Sequence, residues 1–263
     1  MITIRSSDEL FRLEEASRVV LETLEVLETA VVPGITTEEL DRIAADEIGK
    51  RGARPAFLNY RGFPKTICTS VNDEVVHGIP GKRSLKEGDI VGIDCGAIVE
   101  GYYGDAARTL PVGQVDPARA KLLDVTREAL SAGIAAAIAG GRVSDIGAAV
   151  EAIAIAHGYG VVREFVGHGV GTALHEEPQV PNYGPPGKGS RLAPGMVLAI
   201  EPMFNLGTGE VSVDRDGWTV RTRDRSASAH FENTIAIGPD GPVILGMGRL
   251  RAVNSRQAAA ISA

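Results

Sequence analysis

The run Asp89-Ile90-Val91-Gly92-Ile93-Asp94-Cys95-Gly96-Ala97-Ile98-Val99 is apolar and β-compatible over most of its length, yet Asp94 stands at its centre. Gly101 to Gly104 follows as a turn and Asp105 to Val112 returns, a pattern that predicts a β-hairpin. The arms of a hairpin can place side chains of both strands on one face. Asp94 and Asp105 are therefore candidates to meet. A carboxylate desolvated inside a strand costs on the order of several kcal/mol unless it is paired or metal-bound.

The same anomaly recurs further along. Glu201 directly follows Met196-Val197-Leu198-Ala199-Ile200, and Glu232 sits between Phe231 and the run Thr234-Ile235-Ala236-Ile237. No Lys or Arg lies between Gly88 and Glu100, or between Pro194 and Glu210, so neighbours in sequence cannot neutralise these groups. His168, within Gly167-His168-Gly169-Val170-Gly171, adds one imidazole. Four carboxylates beside a neutral histidine carry four negative charges, which two divalent cations would offset. Oxygen-dominated ligation suits Mn, Fe, Co or Mg better than a thiolate-rich zinc site does. A metal pair that bridges a water and polarises a carbonyl is machinery for amide hydrolysis.

Other motifs sort by context. His77, in a glycine-proline loop, and His175, in Leu174-His175-Glu176-Glu177-Pro178, sit where loops can carry them over such a centre. His157 ends a helical pattern and reads as a C-terminal cap. His175-Glu176 lacks a second histidine four residues on, where Gln179 stands, so the zincin motif is excluded. Gly167, Gly169 and Gly171 lack the lysine of a phosphate loop. Cys68 and Cys95 form no Cys-x-x-Cys pair and read as small core or pocket residues.

Around these residues the periodicity gives an element plan. Ser7 is expected to cap a helix through Leu10, Leu13, Val20, Leu24 and Leu27, stopped by Pro33-Gly34. Thr36 and Glu39 form a capping box for a second helix to about Lys50. A strand is expected over Thr66 to Val71. Asp116-Pro117 starts a helix to about Ala139, and Ser144 caps another ended by His157-Gly158. Strands are expected at Met196–Ile200, Trp218–Arg221 and Phe231–Ile237. Two helices precede strands in each half, which favours an α+β domain with antiparallel sheet. No linker divides the chain, so one domain over 1–263 is expected.

Bulk properties narrow the class. A net charge of −7 disfavours nucleic-acid binding. The two cysteines read as reduced thiols of a cytoplasmic protein. The charged start, with Arg5, Asp8, Glu9, Arg12, Glu14 and Glu15, does not resemble a signal peptide, and no run spans a bilayer.

With these residues in hand, the chain resembles the type I methionine aminopeptidases, in their bacterial-type short form, over nearly its whole length. The matching landmarks are His77-Gly78-Ile79-Pro80, Ile93-Asp94 with Gly101 to Asp105 and Thr109, Gly167-His168-Gly169-Val170-Gly171, His175-Glu176-Glu177-Pro178, Ile200-Glu201-Pro202-Met203 and Phe231-Glu232-Asn233-Thr234. The resemblance implies the pita-bread fold, a pseudo-twofold α+β domain with an antiparallel central sheet flanked by helices. It implies two divalent metal ions (Co, Mn, Fe or Zn), with Asp94 chelating one, Asp105 and Glu232 bridging both, and His168 and Glu201 completing the other. A metal-bridging hydroxide would attack the carbonyl of the first residue, Glu201 would move the proton, His175 would stabilise the oxyanion and His77 would contact the scissile nitrogen. Tyr60, Phe63, Cys68 and Trp218 would line the methionine pocket, and a small second residue would be preferred. The substrates implied are the amino termini of nascent polypeptides, met by a monomer in transient contact with the ribosome.

The sequence departs from the family pattern at four places. Leu174 replaces an aromatic residue, Ala199 a threonine, His230 a glutamine and Asn233 a histidine. None belongs to the implied ligand set, but all bear on the pocket and on the groups that tune the metals. Two rival readings remain: a proline-directed aminopeptidase or prolidase of the same fold, which usually carries an additional N-terminal domain, and a non-catalytic binding module, which should have lost ligands.

Overall fold

The computed structural model of the chain describes residues 2–248. Its first helix, α1 (Ser7–Ala30), is capped by Ser6: the Ser6 hydroxyl accepts the Glu9 N–H while the Glu9 carboxylate accepts the Ser6 N–H. The cap falls one residue before the expected Ser7 because only Ser6 has a glutamate three positions on to close the box. α2 (Thr37–Lys50) starts from the same device, Thr36 with Glu39, as expected.

After β1 (Ile67–Val71) comes the hairpin of β2 (Ile90–Val99) and β3 (Tyr102–Pro111). Its turn is tighter than expected. Glu100 and Gly101 alone reverse the chain, at φ 48° and 86°. Two successive left-handed residues match the strand twist of a two-residue hairpin. Glutamate is an uncommon choice there, so the turn was not apparent at that position.

α3 (Pro117–Ala136) opens with Asp116 accepting the Arg119 N–H and with proline at the first turn. It stops short of the expected Ala139, ahead of the turn at Gly140 (φ 92°), whose N–H bonds the Leu192 carbonyl. α4 (Val143–His157) follows from Arg142, not from a cap at Ser144. Ser144 lies inside the helix, and its hydroxyl accepts the Lys188 N–H at 2.6 Å. Gly158, at φ 70°, ends α4 as expected.

The later strands are short: β4 (Gly167–Gly169), β5 (Glu176–Val180), β6 (Val197–Ile200), β7 (Met203–Asn205), β8 (Ser228–His230) and β9 (Glu232–Gly238). The expected strand over Phe231–Ile237 thus begins at Glu232, because the chain changes sheets at Phe231. β8 pairs with β7 in a small sheet, whereas β9 enters the central one. The strand expected at Trp218–Arg221 is Val220–Thr222. Trp218 precedes it in a turn, where its N–H and that of Thr219 both donate to Asp216.

The central sheet has nine strands, every pair antiparallel, in the order Arg54–Pro55, β2, β3, β9, β6, β4, β5. β1 also pairs with β2, and Gly241–Ile244 with β9. Strand alternation sorts its side chains. Val91, Ile93, Cys95 and Ala97 of β2 pack into a core with Leu24 and Leu27 of α1 and Leu40 and Ile48 of α2. Leu198, Ile200, Ile235 and Ile237 pack likewise with Leu122 and Val125 of α3 and Ile146 and Val150 of α4. Each buried Val, Leu or Ile among these contributes about 1.5–3 kcal/mol. Both halves therefore follow one plan, a helix pair backing one face of a shared antiparallel sheet. This is the pita-bread architecture, and it leaves the other face for chemistry. The single domain expected over 1–263 includes residues 1 and 249–263, which lie outside the described residues. No helix among the described residues is long and apolar enough to cross a membrane.

Candidate metal centre

Strand register collects the anomalous carboxylates. Asp94 pairs with Ala107, and Gly96 with Asp105, so Asp94 and Asp105 are diagonal neighbours on one face of the β2–β3 hairpin. Glu232 also pairs with Ala107, from the other side, and takes the same face. Thr234 and His168 both pair with Ala199, which extends that face across β9, β6 and β4. Glu201, two residues beyond Ala199, lies at the end of β6. Four carboxylates and His168 thus arrive from strands of both halves, on the side away from the helices.

β4 reaches this place because it is mostly glycine. A Cβ on Gly167 would lie 2.3 Å from the Ala199 carbonyl oxygen, and one on Gly169 would lie 2.4 Å from that of Glu177. The glycines admit a close backbone approach on both sides of His168, which is the structural role left once a phosphate loop is excluded.

His168 Nε2 lies 3.5 Å from Glu201 Oε1 and 3.9 Å from Asp105 Oδ2. Its Nδ1 faces the Gly169 carbonyl at 3.0 Å, which aims Nε2 at the carboxylates. Ligand atoms of Asp105, His168 and Glu232 lie within 4.8 Å of one another. Burial pushes the Asp94 carboxyl up to about 7. Burial, with repulsion from the neighbouring acids, holds Asp105, Glu201 and Glu232 well above the usual carboxylate range. Burial also lowers His168 to about 3, His230 to about 3 and His77 to about 4.

These residues fit a divalent cation. Among the described residues, Asp94 Oδ1, Asp105 Oδ1 and Glu232 Oε1 are buried without a hydrogen-bond partner, and no Lys or Arg pairs with any of the four acids. Acids kept in such a setting need a compensating charge, and carboxylate oxygens with one imidazole suit a hard or borderline metal.

The acids floor a cavity of about 310 Å³. Each sequence-predicted pocket residue borders it: Tyr60, Phe63, Cys68 and Trp218, with His77 and His175. Cys68 pairs with Asp94 across β1 and β2, so its buried thiol shares the acids' face. His77 follows Glu74–Val76, the strand that pairs with Val220–Thr222, which brings it near Trp218 (ring centroids 6.3 Å apart). His77 adopts φ 60°, an uncommon conformation that turns it from the strand toward the cavity. His175 is tilted over His168, with centroids 4.2 Å apart, and Tyr60 OH lies 2.9 Å from its Nδ1.

Sequence reasoning missed two aromatic walls and one histidine. Phe57 and Phe165 line the cavity. Gly96 makes room for Phe57, since a Cβ there would meet its ring at 2.6 Å. His230, noted only as a departure, is buried with Nε2 lying 3.8 Å from Glu201 and 4.0 Å from Glu232. A polar residue two positions before a suspected ligand was the available signal.

Residues 12–239 match the model of metallopeptidase family M24. The chain is 51% identical over 246 residues to a methionine aminopeptidase of Clostridium acetobutylicum, across 93% of this chain and 98% of that protein. The crystal structure of methionine aminopeptidase from Rickettsia prowazekii superposes with a TM-score of 0.93 at 42% identity, covering 94% of this chain and all of that one (100%). Prolidase from Pyrococcus furiosus shares the fold at 23% identity and a TM-score of 0.74, but 92% of this chain covers only 65% of that one.

Proposed function

The chain belongs to metallopeptidase family M24 and, within it, to the methionine aminopeptidases, and from that premise we propose that its acid-floored cavity removes the first methionine of polypeptide chains. One observation carries the reading. Four carboxylates and His168, with unpartnered oxygens, form the floor of a cavity walled by Phe57, Phe63, Cys68 and Trp218. Amide-cleaving groups thus lie at the bottom of an apolar pocket of side-chain size. An unbranched thioether suits aromatic and thiol walls.

In this reading Asp94, Asp105, His168, Glu201 and Glu232 would hold two divalent ions (Co, Mn, Fe or Zn), which would supply Lewis acidity for amide hydrolysis. Glu201 moves the proton. His175, at the mouth beside Tyr60, donates to the developing oxyanion, and His77 contacts the scissile nitrogen. The closed end of the pocket takes the methionine side chain, and the crowding near His77 and Phe165, whose rings are 5.5 Å apart, favours a small second residue.

We further propose one catalytic domain over 1–263, acting as a cytoplasmic monomer on nascent chains in transient contact with the ribosome. Two free buried thiols fit a reducing compartment.

The test is cleavage of Met-Ala-Ser, Met-Lys-Ser, Ala-Ala-Ser and Ala-Pro-Ser peptides by chelator-stripped protein resupplied with Mn, Fe, Co or Zn. Metal-dependent release of methionine from Met-Ala-Ser alone is expected. Cleavage of Ala-Pro-Ser would transfer the chain to the proline-directed branch, and inactivity with every metal would end the reading.

A further inference from the structure

Two imidazoles, not one, border the acids. His168 Nε2 lies 3.5 and 3.9 Å from oxygens of Glu201 and Asp105. His230 Nε2 lies 3.8 Å from Glu201 and 4.0 Å from Glu232. The two rings address opposite oxygens of Glu201, Oε1 and Oε2. Two donors each about 2.0–2.2 Å from one ion lie at most about 4.4 Å apart. All four separations fall inside that limit.

The environment of His230 points the same way. Its side chain is 4% exposed, and Nε2 has no hydrogen-bond partner among the described residues. A buried nitrogen left so is destabilising unless a cation or a donor meets it. Its direction is set by the backbone. The His230 N–H donates to the Thr109 hydroxyl at 2.9 Å, that hydroxyl donates to the His230 carbonyl at 2.8 Å, and Met203 pairs with His230 across β7 and β8. Thr109 belongs to β3, the strand that carries Asp105, so the backbone that bears the ring is fixed relative to the acids.

We propose that His230 is a second nitrogen donor of the metal centre, making its ligand set four carboxylates and two imidazoles. The inference rests on the metal centre proposed above. Imidazole suits Zn(II), whereas carboxylate suits Mn(II). The second ring therefore biases the site toward zinc relative to manganese.

Chelator-stripped wild type and His230→Gln are titrated with Zn(II) and Mn(II) in competition with a fluorescent chelator. The ratio of zinc to manganese affinity is expected to fall at least about tenfold in the variant. Wild type loaded with Co(II) should show two paramagnetically shifted imidazole N–H proton resonances, and His230→Gln only one. An unchanged ratio, or equal losses for both metals, would reduce His230 to a hydrogen-bonding neighbour and overturn the proposal. A single shifted resonance in wild type would overturn it without reference to the variant, whatever the variant's stability. Failure of both proteins to bind any of the three metals would remove the centre itself, an outcome distinct from tight binding without zinc bias.

Discussion

The Tyr60 hydroxyl stands 2.9 Å from Nδ1 of His175, and the two rings stack at 5.4 Å. Left-handed backbone at Asn59 (φ 66°) and Arg61 (φ 50°) turns Tyr60 into this contact, and the Arg61 guanidinium carbon lies over the phenol ring, 5.4 Å from its centroid. A phenol that donates to Nδ1 leaves the ring proton on Nε2, where an N–H can meet an oxyanion. On the proposed roles, a residue of the methionine pocket would thereby also orient a residue of the reaction.

Tyr60→Phe keeps the stack and removes the hydroxyl alone. For Met-Ala-Ser, kcat is expected to fall about tenfold, the equivalent of one hydrogen bond of about 1.4 kcal/mol, with KM changed less than about twofold. Steady-state kinetics on both parameters decide it. A raised KM at unchanged kcat would make Tyr60 a pocket wall only.

Glu232→Ala removes the acid nearest the sheet centre. Metal affinity is expected to drop by more than about a hundredfold and methionine release to fall to background, as measured by metal content after dialysis and by peptide cleavage. Near-normal turnover would sink the ligand assignment.

Metal removal should expose the strain among the acids, and with a definite sign. Unfolded carboxylates titrate near about 4, while burial raises Asp94 to about 7 in the fold. Below about pH 4 both states are protonated and nothing is lost. Between the two values the unfolded chain ionises first, so stability falls as pH rises, and above about 7 the loss is complete. Asp105, Glu201 and Glu232, held well above the usual range, act in the same direction. Between about pH 7 and 9, where the buried neutral His77, His168 and His230 no longer oppose them, the stripped protein should therefore melt lower at the higher pH, with a smaller change in the metal-loaded form. Parallel melting curves for the two forms across that range would refute this.

Arg221 holds the base of the Trp218 turn, with Asp214 at 2.6 Å, Glu74 at 2.7 Å and Asp73 at 2.9 Å. The network is partly buried, so Arg221→Met is expected to cost about 2 kcal/mol, roughly 4–8 °C in melting temperature. Trp218 is the only tryptophan, and its emission should shift to the red as the turn loosens. An unchanged spectrum would show that the turn is held by Asp216 alone.

Much of this site could be read before any coordinates because its members violate local rules. Asp94 breaks an apolar strand, while Glu201 and Glu232 abut apolar runs, and such violations concentrate at functional sites. The long capped helices were legible for the opposite reason, since caps, period and stops agreed. What escaped notice was short or dependent on distant partners. β4 is three residues of glycine and histidine, with no hydrophobic pattern to betray a strand. Ser144 has the chemistry of a helix cap, but its hydroxyl answers to Lys188, which only folding brings near. His230 carried no local signal of proximity to Glu201, because β8 and β6 belong to different sheets.

β9 lies between β3 and β6, in the middle of the central sheet, although it is among the last strands in the chain. During synthesis, Asp94, Asp105, His168 and Glu201 emerge from the ribosome before Glu232. Until then β3 and β6 lack the neighbour between them, and the sheet carries two raw edges of the kind that invite wrong pairing. Chains halted before residue 232 should remain protease-sensitive and fail to retain metal, whereas chains released in full should do neither. The strand that joins the two halves thus also carries one of the four acids, so on the proposed function an incompletely made copy would lack part of the site and would not trim other chains.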